Sequence, residues 1–405
     1  MFDYLYFCYV KLHVFNPEND LALACFDANF IPPASARMMA EELSFLPSWW
    51  AEKDDAVWVN DPKNAEYWHT RYAVLLPELQ YVIRPGELSL EGVQPWGWSP
   101  LMVNRLVKAG VTPSILPQQK ILERYRKFSN RGEAFRMLTD IMHPHSKLAH
   151  WHGRLCGEAR YCTSEEEVRH AVQECGRTIL KAPWSGSGKG LRFGFGRYES
   201  PLSGWCARIL REQSSLFVEP LYNKRYDVAL EFFSDGMGNV TYAGLSVFHT
   251  SQRGTYEGNR VASEEKNMKW LVQYIPEKLV KDLVNYYEDI LAERYGMEYK
   301  GYIGIDMMIC RAENGLNDCL HPCVEMNFRR TMGWVAVQLA RLLPPETEGE
   351  FMIDFFKDSE ELWRSHTQRM KENPLVLDSG KMIRGYLPLT PITPTTHFRA
   401  SLEVR

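Results

Sequence analysis

A chain of 405 residues with a formal net charge of −4 has no electrostatic reason to seek nucleic acid or an anionic membrane. Its 45% hydrophobic and 24% charged content excludes a largely disordered chain, and no apolar run reaches the roughly 20 residues of a membrane span. Nine cysteines, an odd number scattered through apolar segments, suit reduced thiols in a cytoplasmic protein better than a disulfide framework.

Met1–Val10 is apolar but short, without a basic leader or a small-residue cleavage site, and is not read as a signal peptide. Strands are expected at Leu12–Phe15, Ala56–Asn60 and Gln80–Ile83, each ending in a turn cluster, with helices at Ala34–Phe45 and Ala65–Leu76 between them. Strands spaced by helices argue for an α/β unit with a mostly parallel sheet. Ser99-Pro100 opens a further helix that runs to Ala109 and stops at Gly110. A second unit begins near Ser129, with a helix over Arg131–Leu138 and another from Ser164, whose hydroxyl and acidic first turn form a cap.

Thr178–Lys181 reads as a strand that feeds the segment Ala182-Pro-Trp-Ser-Gly-Ser-Gly-Lys-Gly190. Small residues let backbone amides approach anionic oxygens, and Lys181 and Lys189 are placed to meet different phosphates. This is neither a Walker loop, since Pro183 and Gly190 stand where glycine and a hydroxyl are needed, nor a dinucleotide fingerprint, since Leu191 stands where the third glycine belongs. A flexible glycine hairpin is the alternative.

From Ser215 the pattern turns β-rich: Leu216–Glu219, then Asp227–Phe233 and Val240–Phe248 as a hairpin, an amphipathic helix over Pro276–Tyr295, and strands at Gly301–Cys310 and Cys323–Phe328. Helices near Trp334–Leu343 and at Ser359–Glu372 precede a proline-punctuated end that supplies edge strands. Because a strand alternates its faces, Glu325 and Asn327 point one way, and pairing brings Asp306 beside them while Ile303, Ile305 and Met307 face the core. Two carboxylates and an amide suffice for Mg²⁺, which keeps waters and substrate phosphates as further ligands, and Arg329 would point at the transferring phosphoryl group. The alternative is a surface-facing polar stripe. Cys319-Leu-His321-Pro-Cys323 lacks a matching second pair and reads as ordinary packing rather than a zinc half-site. Tryptophans such as Trp96 and Trp98 read as core, with Trp184 the exception because it lies in the glycine segment.

Taken together, these two clusters resemble the ATP-grasp superfamily of carboxylate–amine ligases, over roughly Ser129–Arg341. The resemblance implies an α/β fold: an N-terminal α/β domain (1–125), a small lobe with the glycine loop (126–214), a larger β-rich lobe with the metal site (215–345) and a C-terminal extension packed on the core (346–405). It implies that Lys181, Ser185, Gly186, Ser187, Gly188 and Lys189 hold the phosphates, with Arg131 standing where the family often has a lysine. It places adenine against Glu219 and the Leu221 amide, the ribose against Asp227, and the metal on Asp306, Glu325 and Asn327. Lys189 and Arg329 would be the catalytic cations. Gly304 stands where some of these ligases carry an arginine two residues before the metal aspartate, which argues against the D-alanine–D-alanine ligase branch.

The implied activity is ATP- and Mg²⁺-dependent, with Mn²⁺ as the alternative ion: a carboxylate is activated as an acyl phosphate and captured by an amine. A kinase of the same fold and a nucleotide-binding protein with little catalysis are the alternatives. The implied partners are small-molecule carboxylates and amines, with no nucleic acid and no membrane; a homo-oligomer is compatible. Acceptor contacts are expected from His249, Arg253 and Tyr256 in a polar, glycine-punctuated segment, and from Asn16 and Asp20 after the first strand.

Overall fold

The computed structural model describes residues 10–184, 190–251, 254–311 and 317–405. Ser185, Gly186, Ser187, Gly188, Lys189 and Arg253, which the sequence singles out, lie outside the described residues. The chain divides into two units, one of Met1–Glu123, Arg260–Ser263 and Gln338–Arg405, the other of Arg124–Asn259 and Glu264–Val337. Among the described residues no helix is long and apolar enough to cross a membrane.

The N-terminal part of the first unit is the expected parallel sheet. Strands β1 (Val10–Val14), β2 (Ala56–Trp58), β3 (Gln80–Val82) and β4 (Leu90–Pro95) run in the order β3-β2-β1-β4, each pair parallel. Strand β4 breaks the expected pattern, because Gly92 and Pro95 depress its strand propensity while pairing with β1 overrides that deficit. Leu12, Val14, Ala56, Val93, Met102 and Leu106 form the core on which the helix Pro100–Lys108 packs. Ser99 caps that helix by accepting from the Met102 amide, as its position before Pro100 predicts.

The second unit carries two sheets. In the first, β5 (Arg160–Cys162), β6 (Arg177–Lys181), β7 (Leu191–Phe195) and β8 (Leu216–Pro220) run antiparallel in the order β5-β8-β6-β7. Period-2 alternation splits their side chains. Leu180, Leu216 and Val218 are buried against Val168, Val172, Trp205 and Ile209 of the helices Glu165–Cys175 and Leu202–Gln213, while Lys181, Phe217 and Glu219 point to the other face. The Ser164 capping box forms as read from the sequence.

The second sheet has β9 (Lys224–Asp235), β10 (Val240–Thr250), β11 (Tyr256–Ala262), β12 (Lys300–Arg311) and β13 (Asp318–Asn327), in the order β13-β12-β9-β10-β11. β9 and β10 form the expected hairpin, and β12 lies antiparallel between β9 and β13. Val228, Leu230, Phe232, Ile303 and Ile305 are fully buried on one face. The helix Glu277–Tyr295 buries Leu279, Leu283, Tyr287 and Leu291 at helical spacing, and its Tyr287 ring lies 5.8 Å from Phe232. The opposite face is therefore left for polar groups.

The C-terminal part of the first unit adds β14 (Glu348–Phe355), β15 (Val376–Asp378), β16 (Lys381–Pro388) and β17 (Phe398–Val404) in the antiparallel order β14-β17-β16-β15. Within this unit, Glu42 accepts from the His397 and Phe398 amides, and the Trp49 indole donates to the Leu389 carbonyl at 2.6 Å. The N- and C-terminal stretches of the chain thus share one body.

Candidate functional site

The polar face of the second sheet collects the acidic residues. In the ladder Asp306 stands directly opposite Glu325, and Gly304 stands opposite Asn327 on one side and Glu231 on the other. Asp306, Glu325, Asn327 and Glu231 therefore share one face by register. The Asn327 amide donates to Asp306 Oδ2 at 3.1 Å, and Arg329 Nη2 donates to Asn327 Oδ1 at 3.0 Å.

Like charges directly across a ladder repel, so this pairing is unfavourable without a cation to offset it. Burial, then the charge on Glu325, pushes the Asp306 carboxyl up to about 7. Arg131 Nη2 lies 3.1 Å from Glu325 Oε1 and supplies part of the compensating charge. Among the described residues no group of three or more His, Cys, Asp or Glu could hold a metal ion. The set here is of another kind, two carboxylates and an amide, and its all-oxygen character fits a hard divalent cation that keeps waters and substrate oxygens.

Lys181 ends β6 on the face turned away from the core. Its Nζ lies 2.6 Å from Glu219 Oε2 and 3.4 Å from the Val324 carbonyl, one residue before Glu325. Lys181 and Glu219 are both buried. Arg131, at the start of the helix Arg131–Met142, donates from its amide to the Pro183 carbonyl and from Nε to the Ala182 carbonyl. Arg131 therefore ties the stem of the glycine segment to the acidic strand. A small, partly open depression is lined by Arg131, Phe135, Leu138, Phe217, Glu219 and Cys323, among others.

Several residues singled out from the sequence have other engagements. The Leu221 amide, expected to meet adenine, donates to the Arg177 carbonyl at 2.8 Å, because the chain leaving β8 continues to pair with β6. Asp227, expected at the ribose, accepts from Lys224 and from Thr250 at 2.6 Å each. Trp184 does not stand free in the glycine segment: its indole donates to the Arg126 carbonyl and its ring lies under the Arg126 guanidinium at 4.7 Å. His249 is exposed on β10, and the Tyr256 hydroxyl donates to Asn259. In the first unit, Asn16 is buried and its amide clamps Gly97, donating to its carbonyl at 2.8 Å, which is a structural task; Asp20 lies in the first turn of the helix Asn19–Cys25.

Glu231 was missed. It is fully buried, accepts from the Thr331 hydroxyl at 2.6 Å through Oε1, and has no hydrogen-bond partner at Oε2. Burial pushes its carboxyl up to about 8, with Asp306 adding to the effect and Thr331 opposing it. A lone acid inside the apolar run Val228-Ala-Leu-Glu-Phe-Phe233 is the signal that could have found it.

A pH dependence follows. Asp306 and Glu231 hold protons in the folded metal-free protein at pH values where the unfolded chain has lost them, so the folded state binds more protons between about pH 4 and pH 8. The stability this confers is complete below about pH 4 and is lost as pH rises through 7 and 8. Chemical denaturation of the metal-free protein at pH 5 and pH 8.5 should give the lower stability at pH 8.5. Added Mg²⁺ should narrow the gap, since the ion favours the ionised carboxylates. A flat profile would remove the electrostatic description of this face.

No family model matches the chain, and no curated protein matches it. Solved structures do. A chain of Rhizobium etli pyruvate carboxylase is 13% identical, with a TM-score of 0.52 over 98% of this chain and 36% of that one. The biotin carboxylase domain of Hydrogenobacter thermophilus 2-oxoglutarate carboxylase is 15% identical, at TM-score 0.49 over 97% and 85%. Campylobacter jejuni biotin carboxylase is 12% identical, at 0.49 over 98% and 87%. At such identities the likeness speaks for architecture alone: the chain shares its mixed α/β fold with the pyruvate carboxylase structure.

Proposed function

We propose that the protein is an ATP- and Mg²⁺-dependent ligase that activates a carboxylate as an acyl phosphate and passes the acyl group to an amine. The observation that carries this reading is the placement, within one unit, of Asp306, Glu325 and Asn327 on one face, with Lys181 bonded to the backbone one residue from Glu325. Glu219, paired with Lys181, is proposed to meet the purine ring.

Asp306, Glu325 and Asn327 would hold the ion. Bound there, Mg²⁺ supplies charge neutralisation for the phosphates. Lys181 and Arg329 add fixed positive charge where negative charge builds up in phosphoryl transfer, and Lys189 is proposed for the same task from the glycine segment. Arg131 has a positioning role, since it fixes the loop stem through the Ala182 and Pro183 carbonyls. Attack of the carboxylate oxygen on the γ-phosphorus breaks the bond to ADP; attack of the amine on the acyl carbon then expels phosphate and gives up a proton. His249, Arg253 and Tyr256 are proposed to meet the acceptor, and the residues after the first strand are weaker candidates because Asn16 is already engaged.

The test is a panel of amino acids, small dicarboxylates and peptides, each with and without an amine, scored for ADP and for the coupled product. ADP that appears only with a carboxylate, together with an amide product, is the expected result. A stable phosphorylated hydroxyl would move the protein to the kinase class. Tight ATP binding without turnover across the panel would leave it a nucleotide-binding protein.

A further inference from the structure

Glu231 is the buried acid that the proposed mechanism leaves without a task. It sits on β9 between two glycines, opposite Gly304 on β12 and opposite Gly244 on β10. With no side chain at either flanking position, the segment that follows β13 can come down onto the sheet. A Cβ on Gly304 would lie 2.7 Å from Thr331 Cγ2, one on Gly333 would lie 2.6 Å from Glu231 Oε1, and one on Gly244 would lie 2.8 Å from Val337 Cγ1. Real Cβ atoms do not approach so closely, so the three glycines make this contact possible. All of these residues belong to the second unit.

Burying a carboxylate costs far more than burying an apolar side chain, so stability alone does not account for an acid in this place. Its hydrogen bond does. The Trp334 amide donates to the Thr331 hydroxyl at 2.9 Å, which makes Thr331 the cap of the helix Met332–Leu339. The single hydroxyl proton then goes to Glu231 Oε1, at 2.6 Å. Thr331 is thereby held from the helix and from the sheet. The peptide that joins it to Arg330 is planar, so its carbonyl is aimed by the same anchor. That carbonyl accepts from Arg329 Nη1 at 2.9 Å, while Arg329 Nη2 donates to Asn327 Oδ1 at 3.0 Å. The guanidinium thus takes support both from the acidic strand and from the peptide that Glu231 secures.

We propose that Glu231 is a positioning residue for phosphoryl transfer: through the Thr331 hydroxyl it fixes the peptide between Arg330 and Thr331, whose carbonyl orients the Arg329 guanidinium toward the transferring phosphoryl group. The inference rests on the ligase reading, in which Arg329 meets the phosphoryl group that leaves ATP. A guanidinium presents its donors in a rigid, planar fork, so a tilt of the plane moves them off their target. Loosening the anchor is therefore equivalent to losing part of Arg329. The loss is confined to the γ-phosphoryl group, which ATP carries and ADP lacks.

The test compares the affinities of the full chain for ADP and for the β,γ-imido analogue of ATP, both with Mg²⁺, by titration calorimetry. The wild type should prefer the analogue, and Arg329→Met should reduce that preference at least about tenfold with ADP affinity unchanged. Thr331→Val, which keeps the shape and removes the hydroxyl, should reduce it severalfold, and so should Glu231→Leu. Thr331→Ser, which keeps the hydroxyl, should retain it. In the Arg329→Met background, Thr331→Val should bring no further loss, because the two act through one guanidinium. ADP affinity reports that each variant is folded. A preference lost in Arg329→Met but kept in Thr331→Val and Glu231→Leu overturns the positioning role and leaves the ligase reading standing, and additive effects of Arg329→Met and Thr331→Val do the same. A preference that survives Arg329→Met, or a wild type that shows none, separates Arg329 from the phosphoryl group and overturns the reading and the inference together.

Discussion

Asp306→Asn is expected to lower ATP turnover by at least about a hundredfold while leaving the metal-free protein as stable as the wild type or slightly more so. The two halves of this outcome share one cause. Asp306 and Glu325 face each other directly in the ladder, so the Glu325 charge raises the cost of ionising Asp306. Replacing one by a neutral isostere relieves that repulsion and removes an oxygen ligand with its charge. Glu325→Gln should behave alike in turnover but gain less stability, because it also discards the Arg131 ion pair at 3.1 Å. Measuring ADP release, Mg²⁺-dependent ATP binding and thermal melting on the same preparations separates a lost site from a lost fold. Near-wild-type ATP consumption by either variant would contradict the site, and a melting temperature that drops sharply in both would show that the acids hold the sheet together.

The second large effect concerns Lys181. Its ammonium and the Glu219 carboxylate lie 2.6 Å apart, and both residues are buried. Removing one member of such a pair strands the other without compensation, at a cost of about 3–5 kcal/mol. Lys181→Met should therefore lower the melting temperature of the second unit by roughly 10 °C, taking about 2–4 °C per kcal/mol for a folding unit of that size. The double variant Lys181→Met/Glu219→Leu should recover most of that loss, since an apolar pair of similar volume often replaces a buried ion pair without penalty. Nucleotide affinity is expected to stay low in the double variant even as stability returns. Recovery of both together would mean that Lys181 has only a structural task. No recovery of stability would mean that the pair is not the reason for the loss.

The sequence makes some of this legible for clear reasons. Periodicity marks the helix Glu277–Tyr295 through its apolar stripe, and a hydroxyl followed by acids marks the start of Glu165–Cys175. The parallel character of the first sheet follows from strands that alternate with helices. The helix Gln119–Phe128 escapes notice because its basic face dominates, although Leu122, Tyr125 and Phe128 recur at helical spacing and are buried. Strands β5 and β7 are short and mostly not buried, and they exist as strands only because β8 and β6 offer them an edge.

By itself, the sequence determined which face of a strand each acidic residue occupies, because alternation is a local property of the backbone: Asp306 opposite the core-facing isoleucines, Glu325 and Asn327 in step. Only the tertiary structure decided which strands become neighbours, and that set everything pairwise. Register placed Glu325 across from Asp306 and Glu231 beside Gly304, the approach of β6 to β13 gave Lys181 its carbonyl partner, and the turn after β8 engaged the Leu221 amide. Pairing across long stretches of chain depends on how whole elements pack, and no local pattern encodes it.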